Sequence, residues 1–324
     1  MLLAGDVGGT KTLLGFYHLG PDRPEALVVS ELPTLGYPSL EAMVRHFLST
    51  HGLERRVRAA CFGVAGPVRG EAARLTNVPW SVDADALRAC GLPRVRLIND
   101  LVALARAVPV LQRLELIVLQ EGEAQPDGNA AVIAAGTGLG EAVLHNIDGR
   151  FEPMASEAGH ADFAARTPRE FELVAELTQT HGRAQVEAIL SGPGLINLFH
   201  FTHPTPCAVV GSSESPDVLP ALISASALGR RCPRCVEALD LFVSAYGAEA
   251  GNLALRAVAT AGVYVGGGIA PRILPALESG LFLDAFRSKP PMVDLLAAIP
   301  VYVIMNPRAG LLGAAVEAAD LLDA

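Results

Sequence analysis

The chain opens on two apolar runs, Leu2-Leu3-Ala4 and Leu13-Leu14-Gly15-Phe16-Tyr17, separated by the polar stretch Asp6-Val7-Gly8-Gly9-Thr10-Lys11-Thr12. Such runs around a Gly-Gly pair predict paired strands with the bend at Gly8-Gly9, because glycine reaches positive φ without a Cβ clash. Further along, Val28 to Leu32 reads as a third strand, Ser39 to His51 as a helix, and Ala59 to Val64 as a short buried strand closed by Gly66-Pro67. A short helix ends at Gly91, and Val95 to Ile98 then reads as a strand feeding a helical run over Leu101 to Val108. Strand, helix, strand order predicts an α/β sheet.

The same pattern restarts past residue 110. Leu116 to Leu119 and Ala130 to Ala135 read as strands, the glycine loop Gly136-Thr137-Gly138-Leu139-Gly140 follows, and Ala142-Val143-Leu144 repeats the hairpin. Phe171 to Thr180, Val186 to Leu190 and the Ala/Leu-rich Val236 to Thr260 are predicted helices. Val263-Tyr264-Val265 enters a third glycine run, Gly266-Gly267-Gly268, and Val301 to Ile304 precedes a last helix over Leu311 to Leu322. The stretch from His203 to Pro216 is the best candidate for a flexible loop. At 324 residues the chain exceeds the usual single domain, so two domains with a cleft between them are expected.

Two glycine loops at strand bends point to a nucleotide held from two sides, since glycine amides approach phosphate oxygens closely. An ordinary tight hairpin is the alternative for the first loop taken alone. The sequence lacks Gly-Lys-Ser and Gly-Lys-Thr, which excludes the P-loop, and a strand rather than a helix follows Thr12, which excludes the dinucleotide fingerprint. Asp6 beside phosphate would be repelled by about 4 kcal/mol at ~4 Å and an effective dielectric of 20, so the phosphate reading implies Mg²⁺ at Asp6.

Charge and composition narrow the classes. A net charge of −9 lacks the basic balance of a nucleic-acid surface. No apolar run approaches the ~18 residues of a membrane helix, and Asp6 and Lys11 fall where a signal peptide would be apolar, so a cytoplasmic protein without a membrane partner is expected. Five cysteines without a framework pattern fit reduced thiols. Cys232-Pro-Arg-Cys235 has C-x-x-C spacing, but a structural zinc site needs four ligands and no second C-x-x-C or close His pair accompanies it, so neither a zinc nor a redox role is expected.

Taken in order, Gly5-Asp6-Val7-Gly8-Gly9-Thr10, Leu75-Thr76-Asn77 with Trp80, Ile98-Asn99-Asp100 and Gly136-Thr137-Gly138-Leu139-Gly140 resemble the bacterial glucokinase family. The resemblance runs on through Glu157-Ala158-Gly159-His160, Leu190-Ser191-Gly192-Pro193-Gly194, Gly266 to Arg272 and Gly310-Leu311-Leu312-Gly313. It implies a two-domain α/β fold of the actin-like ATPase (ribonuclease H-like) type with an interdomain cleft. The last helix would return to the first domain, giving residues 1–110 plus 301–324 and residues 111–300. The broader group of sugar kinases and sugar-responsive repressors carries a zinc-binding cysteine cluster soon after Glu-x-Gly-His; Ala161 to Leu190 has no cysteine, which disfavours that branch.

The resemblance also implies ATP-dependent transfer to the 6-hydroxyl of D-glucose by a homodimeric enzyme. Asp100 would be the general base, an aspartate being ionised at neutral pH and able to accept a hydroxyl proton late in a loose phosphoryl transfer. From local sequence alone Asp100 reads equally as a helix N-cap. By resemblance Asn99, Glu157, His160 and Glu187 bind the sugar with Asp100. Asp6, Gly8, Gly9 and Thr10 would face the phosphates opposite Gly136, Thr137, Gly138 and Gly140, and Gly266, Gly267 and Gly268 would pass the adenosine. Lys11 is either solvated or reaches a phosphate. Trp80 reads as a core aromatic. Mannose or N-acetylhexosamine kinases, a sugar-sensing repressor and an actin-like ATPase are the competing readings; the acidic charge and a start at the phosphate loop speak against the repressor, and the Glu157/His160 pair against the ATPase.

Overall fold

Leu2–Val7 and Lys11–Leu19 form the predicted hairpin, in register from Leu2 opposite Tyr17 to Val7 opposite Thr12. The computed structural model describes residues 1–52, 56–75, 78–211 and 215–323. Thr76 and Asn77 of the family-like string, and residues 212–214 of the predicted flexible loop, lie outside them.

The chain divides into two units, Met1–Arg113 with Asn306–Ala324, and Leu114–Met305. In the first, a five-stranded sheet runs in the order Pro24–Pro33, Lys11–Leu19, Leu2–Val7, Ala59–Val64, Val95–Asn99. The first three strands pair antiparallel and the last three parallel. Helix Leu40–His51 covers one face because Leu40, Met43, Val44, Phe47 and Leu48 recur at helical spacing; Ser39 Oγ accepts from the Ala42 amide at its start, and left-handed Gly52 ends it. Phe47 stacks on Phe16 of the sheet with ring centroids 4.7 Å apart. Each such buried ring contributes about 1.5–3 kcal/mol. The last helix, Ala309–Asp323, packs against helix Asp100–Ala107 and strands Leu2–Val7 and Ala59–Val64. Its buried Glu317 carboxylate pairs with Arg96 at 2.5 Å and Arg106 at 2.7 Å, fixing the helix to the strand and helix that carry Asn99 and Asp100.

The second unit repeats the plan. Its six-stranded sheet runs Arg150–Ser156, Leu139–Ile147, Ala130–Ala135, Gly262–Gly266, Val301–Ile304, Leu116–Gln120. Ala130–Ala135 is antiparallel to Leu139–Ile147 and parallel to Gly262–Gly266, so this hairpin stands in its sheet as Leu2–Val7 and Lys11–Leu19 stand in theirs. Helix Pro233–Ala257 supplies the centre of the core with Phe242 and Tyr246, against Phe282 and Phe286. Two expectations are corrected here. Val301–Ile304 pairs with Gly262–Gly266 and Leu116–Gln120, so it belongs to the second unit and the chain leaves that unit at Asn306 rather than at residue 301. The predicted helix over Val186 to Leu190 is only the single 3-10 turn Val186–Ala188. The Ser191 hydroxyl donates to the Glu187 carbonyl and accepts from the Gly194 amide, which ends that turn and starts helix Gly192–Thr202.

Candidate active site

In the first unit Val7, Val64 and Asn99 stand side by side on three parallel strands, so Asp6, the hairpin tip and Asn99-Asp100 share the carboxyl-terminal edge of the sheet. Ligands of α/β sheets gather at that edge, because loops and helix N-termini converge there with unpaired amides. The hairpin tip is held from behind by two threonines. Buried Thr12 and Thr34 share a hydroxyl–hydroxyl bond of 2.9 Å, the Thr34 hydroxyl donates to the Gly8 carbonyl at 2.8 Å, and the Thr34 amide donates to Thr10 O at 3.0 Å. Gly8 is not left-handed, contrary to the expectation from the bend. A Cβ there would lie 3.0 Å from the Lys11 carbonyl, to which the Gly8 amide donates, so tightness of the turn is what favours glycine. Thr10 is exposed, Gly8 and Gly9 are half-buried, and Lys11 makes an exposed 3.1 Å ion pair with Glu31.

Asn99 is the N-cap of helix Asp100–Ala107: its Oδ1 accepts from the Leu101 amide at 2.9 Å while its Nδ2 donates to Gly66 O at 3.2 Å. The cap position that local sequence also allowed for Asp100 is therefore filled by its neighbour. Asp100 is the first helical residue, its Oδ1 sharing the Leu101 amide at 2.9 Å. Across the strand edge stands Asp6. Loss of hydration, then the Asp100 charge, push the Asp6 carboxyl up to about 6, with Lys11 opposing. A raised carboxyl favours the fold while protonated, so this contribution is whole below about pH 4 and is lost as pH rises through about 6. Asp6→Asn, which stays neutral, is expected to gain on the wild type by up to about 3 kcal/mol between pH 4 and pH 8. Urea unfolding of both proteins without nucleotide or divalent cation measures the gap; one that does not widen with pH contradicts the assignment.

In the second unit the glycine loop after Ala130–Ala135 is fastened at three points. The Gly136 amide donates to Gly138 O and the Gly192 amide to Gly136 O, both at 2.8 Å, and the Leu139 amide donates to Glu187 Oε2 at 2.8 Å. Gly138 leaves room for this carboxylate, since a Cβ there would stand 2.5 Å from that same Glu187 oxygen and would push the side chain aside. Glu187 also reaches toward His160, 3.9 Å from its Nδ1, and Gln185 Oε1 lies 3.3 Å from the same nitrogen. The segment around His160 is tied to this strip by Arg183, whose guanidinium donates to His160 O and Asp162 Oδ1 at 2.7 Å, and by the Val186 amide on Ala161 O. Glu157 opens the turn Ala158–His160, and both Glu157 and His160 are exposed. A cavity of about 360 Å³ lies among Thr137, Arg183, Gln185, Glu187, Ser191 and Pro193.

Gly266, Gly267 and Gly268 leave the adjacent strand beside this loop. Gly267 has φ +82° and a Cβ there would meet Ala135 O at 2.3 Å, while a Cβ at Gly268 would meet nothing within 4 Å. Beneath both loops is Tyr246, fully buried, whose hydroxyl accepts from the Ala135 amide at 3.2 Å and faces the Gly266 carbonyl at 3.3 Å. Tyr246, Arg183 and Gln185 escaped the sequence reading. A lone phenol in an Ala/Leu-rich helix was the signal for Tyr246; nothing local marked the other two. Trp80 packs on the first unit's core and donates Nε1–H to Tyr37 O.

Each unit thus has a hairpin whose glycine tip is fixed by side chains behind it, at the edge where carboxylates gather, an arrangement that defines a phosphotransferase of the actin-like ATPase type. The Glucokinase profile matches residues 3–321. A curated glucokinase of Nostoc sp. is 38% identical over 99% of both chains. A crystal structure of a glucokinase from an Antarctic psychrotroph superposes with a TM-score of 0.86 at 30% identity, covering 98% of each chain. A ROK family glucokinase from Streptomyces griseus, solved with glucose and AMPPNP, shares the fold at a TM-score of 0.64 and 23% identity, over 98% of this chain and 99% of that one. The chain belongs to the glucokinase family, and it is an enzyme that uses ATP to phosphorylate glucose.

Proposed function

We propose that Asp100 is the general base that takes the proton of the glucose 6-hydroxyl, and that Asn99, Glu157, His160 and Glu187 bind the sugar with it. The observation that carries this reading is the capping of helix Asp100–Ala107 by Asn99, which leaves Asp100 at the sheet edge near a second carboxylate, Asp6. Two neighbouring carboxylates at a desolvated edge suit a divalent cation, and Asp6 would hold Mg²⁺, directly or through water. Magnesium supplies charge neutralisation for the nucleotide phosphates. The loops Gly8, Gly9 and Thr10, and Gly136, Thr137, Gly138 and Gly140, face the phosphate oxygens, and Gly266, Gly267 and Gly268 pass the adenosine, the Cβ position of Gly268 opening on free space.

Glu187 and His160 give the sugar an acceptor and a group able to donate or accept, which matches paired hydroxyls. The enzyme is a cytoplasmic homodimer in this reading. None of the five cysteines is in a disulfide, in keeping with a reducing compartment, and no described helix is long and apolar enough to cross a membrane. The test is stoichiometric ADP and sugar-phosphate production with glucose, mannose and N-acetylglucosamine, each with Mg²⁺ and with chelator. Glucose-selective, chelator-sensitive turnover is expected. Preference for another hexose would reassign the substrate, and ADP release indifferent to sugar would overturn the sugar-binding roles.

A further inference from the structure

Outside the active site, one cluster combines residues the sequence keeps far apart. His203 and Cys207 follow helix Gly192–Thr202, while Cys232 is the N-cap of helix Pro233–Ala257 and Cys235 lies in its first turn. The fold brings one atom from each of the four within 4.8 Å of the others. His203 Nε2 is 3.4 Å from Cys232 Sγ and 3.9 Å from Cys235 Sγ, and Cys207 Sγ is 3.7 Å from Cys232 Sγ. A tetrahedral zinc with sulfur at ~2.3 Å and nitrogen at ~2.0–2.1 Å spaces its ligand atoms about 3.5–3.8 Å apart. The cluster has that size.

The imidazole is also oriented for the task. Nδ1 of His203 lies 2.9 Å from the Phe199 carbonyl, which can only accept, and 3.0 Å from the Thr202 hydroxyl, which can do either; the tautomer with the proton on Nδ1 serves both and leaves the lone pair on Nε2, facing the thiols. Metal-bound histidines are held in this way, the second nitrogen donating to a carbonyl or carboxylate. Phe199 stacks on the ring with centroids 4.1 Å apart and fixes its plane. All three cysteines are buried and His203 is half-buried, and the Cys235 amide donates to the Cys232 sulfur. Thiols buried only as small apolar groups would not converge on an imidazole lone pair.

We infer that His203, Cys207, Cys232 and Cys235 form a structural zinc site that clips the segment after helix Gly192–Thr202 to the start of helix Pro233–Ala257. Four protein ligands close the coordination shell, so the ion has no open position for substrate and its role is structural. The ligands lie outside Ala161 to Leu190, the segment whose lack of cysteine disfavoured zinc, and the C-x-x-C finds its partners 25 and 29 residues upstream of Cys232. Because the ion binds the folded site, its removal lowers the melting temperature.

The test is elemental analysis of full-length protein purified reduced and without chelator, followed by replacement of the metal with Co²⁺. About one zinc per chain is expected, as is a cobalt form with the visible ligand-field bands of a tetrahedral thiolate site. Cys232→Ser and His203→Ala should lose most of the zinc, and Cys90→Ser, in the first unit, should keep it. If the ligand variants do not fold, zinc stoichiometry and the cobalt spectrum of the wild type still decide. Substoichiometric zinc after refolding with the ion, together with a featureless cobalt spectrum, would overturn the site. So would a metal-free native protein with Cys207 and Cys232 joined as a disulfide. Neither readout depends on kinase activity.

Discussion

Asp100→Asn is expected to phosphorylate glucose at least about 10²-fold more slowly than the wild type, the usual contribution of a positioned general base, with little change in KM for glucose. The substitution keeps an oxygen for the Leu101 amide and leaves Asn99 in place as the cap, so the helix start survives, and with the repulsion of Asp6 relieved the protein should melt no lower than the wild type. A second readout separates a proton acceptor from a merely structural carboxylate at this position. Burial and then the Asp100 charge raise Asp6, so in Asp100→Asn the Asp6 titration should fall from about 6 by the part that Asp100 contributes, while burial still holds it up. A kcat within a few-fold of the wild type would remove Asp100 from proton transfer even if Asp6 responds. A lost kcat with an unmoved Asp6 would instead separate the two carboxylates and weaken the case for a shared cation.

The two hairpins were legible because their information is local: apolar runs of strand length with glycines between them leave few other folds for the chain. Strands Ala59–Val64 and Val95–Asn99 were legible for the same reason, and the start of the helix after Val95–Asn99 was legible too, although its cap is Asn99 where local sequence offered Asp100. Arg150–Ser156 had no strand reading; the structure makes it the edge of its sheet, the position where sheets tolerate a proline such as Pro153. Val186 to Leu190 looked helical by composition. The deciding bonds there come from Ser191 and from the Leu139 amide some fifty residues earlier, which a local reading does not contain.

The site divides along the same line. Gly138 and Gly267 stood out as glycines, but what sits against them, the Glu187 carboxylate at the first and the Ala135 backbone at the second, is supplied only by the fold. The first-turn glycine logic pointed to the right loop for the wrong reason, since Gly8 answers a close approach and not a left-handed backbone. His203 and Cys207 were invisible as partners of Cys232 and Cys235, because the two halves of that cluster are 25 residues apart with helix Leu219–Leu228 between them.

Glu187 tests whether the strip beside the second glycine loop binds sugar or only braces it. Its carboxylate accepts from the Leu139 amide and lies against Gly138, so a purely mechanical role is available to it. Glu187→Gln keeps an acceptor for that amide and removes the charge. If Glu187 binds a sugar hydroxyl as a carboxylate, glutamine weakens a bond worth about 1.5–3 kcal/mol, and KM for glucose should rise by roughly 10-fold or more while KM for ATP stays put. Glu187→Ala should do the same and in addition strand the Leu139 amide, lowering stability by about 1–3 kcal/mol. Steady-state kinetics with each substrate varied, beside urea unfolding of both variants, separates the alternatives. A glutamine variant with wild-type glucose KM and an alanine variant with raised KM for ATP would make Glu187 a brace for the phosphate loop, and His160, 3.9 Å away, would then need another partner to orient it. Gln185, already 3.3 Å from the same ring nitrogen, is the side chain placed to take that part.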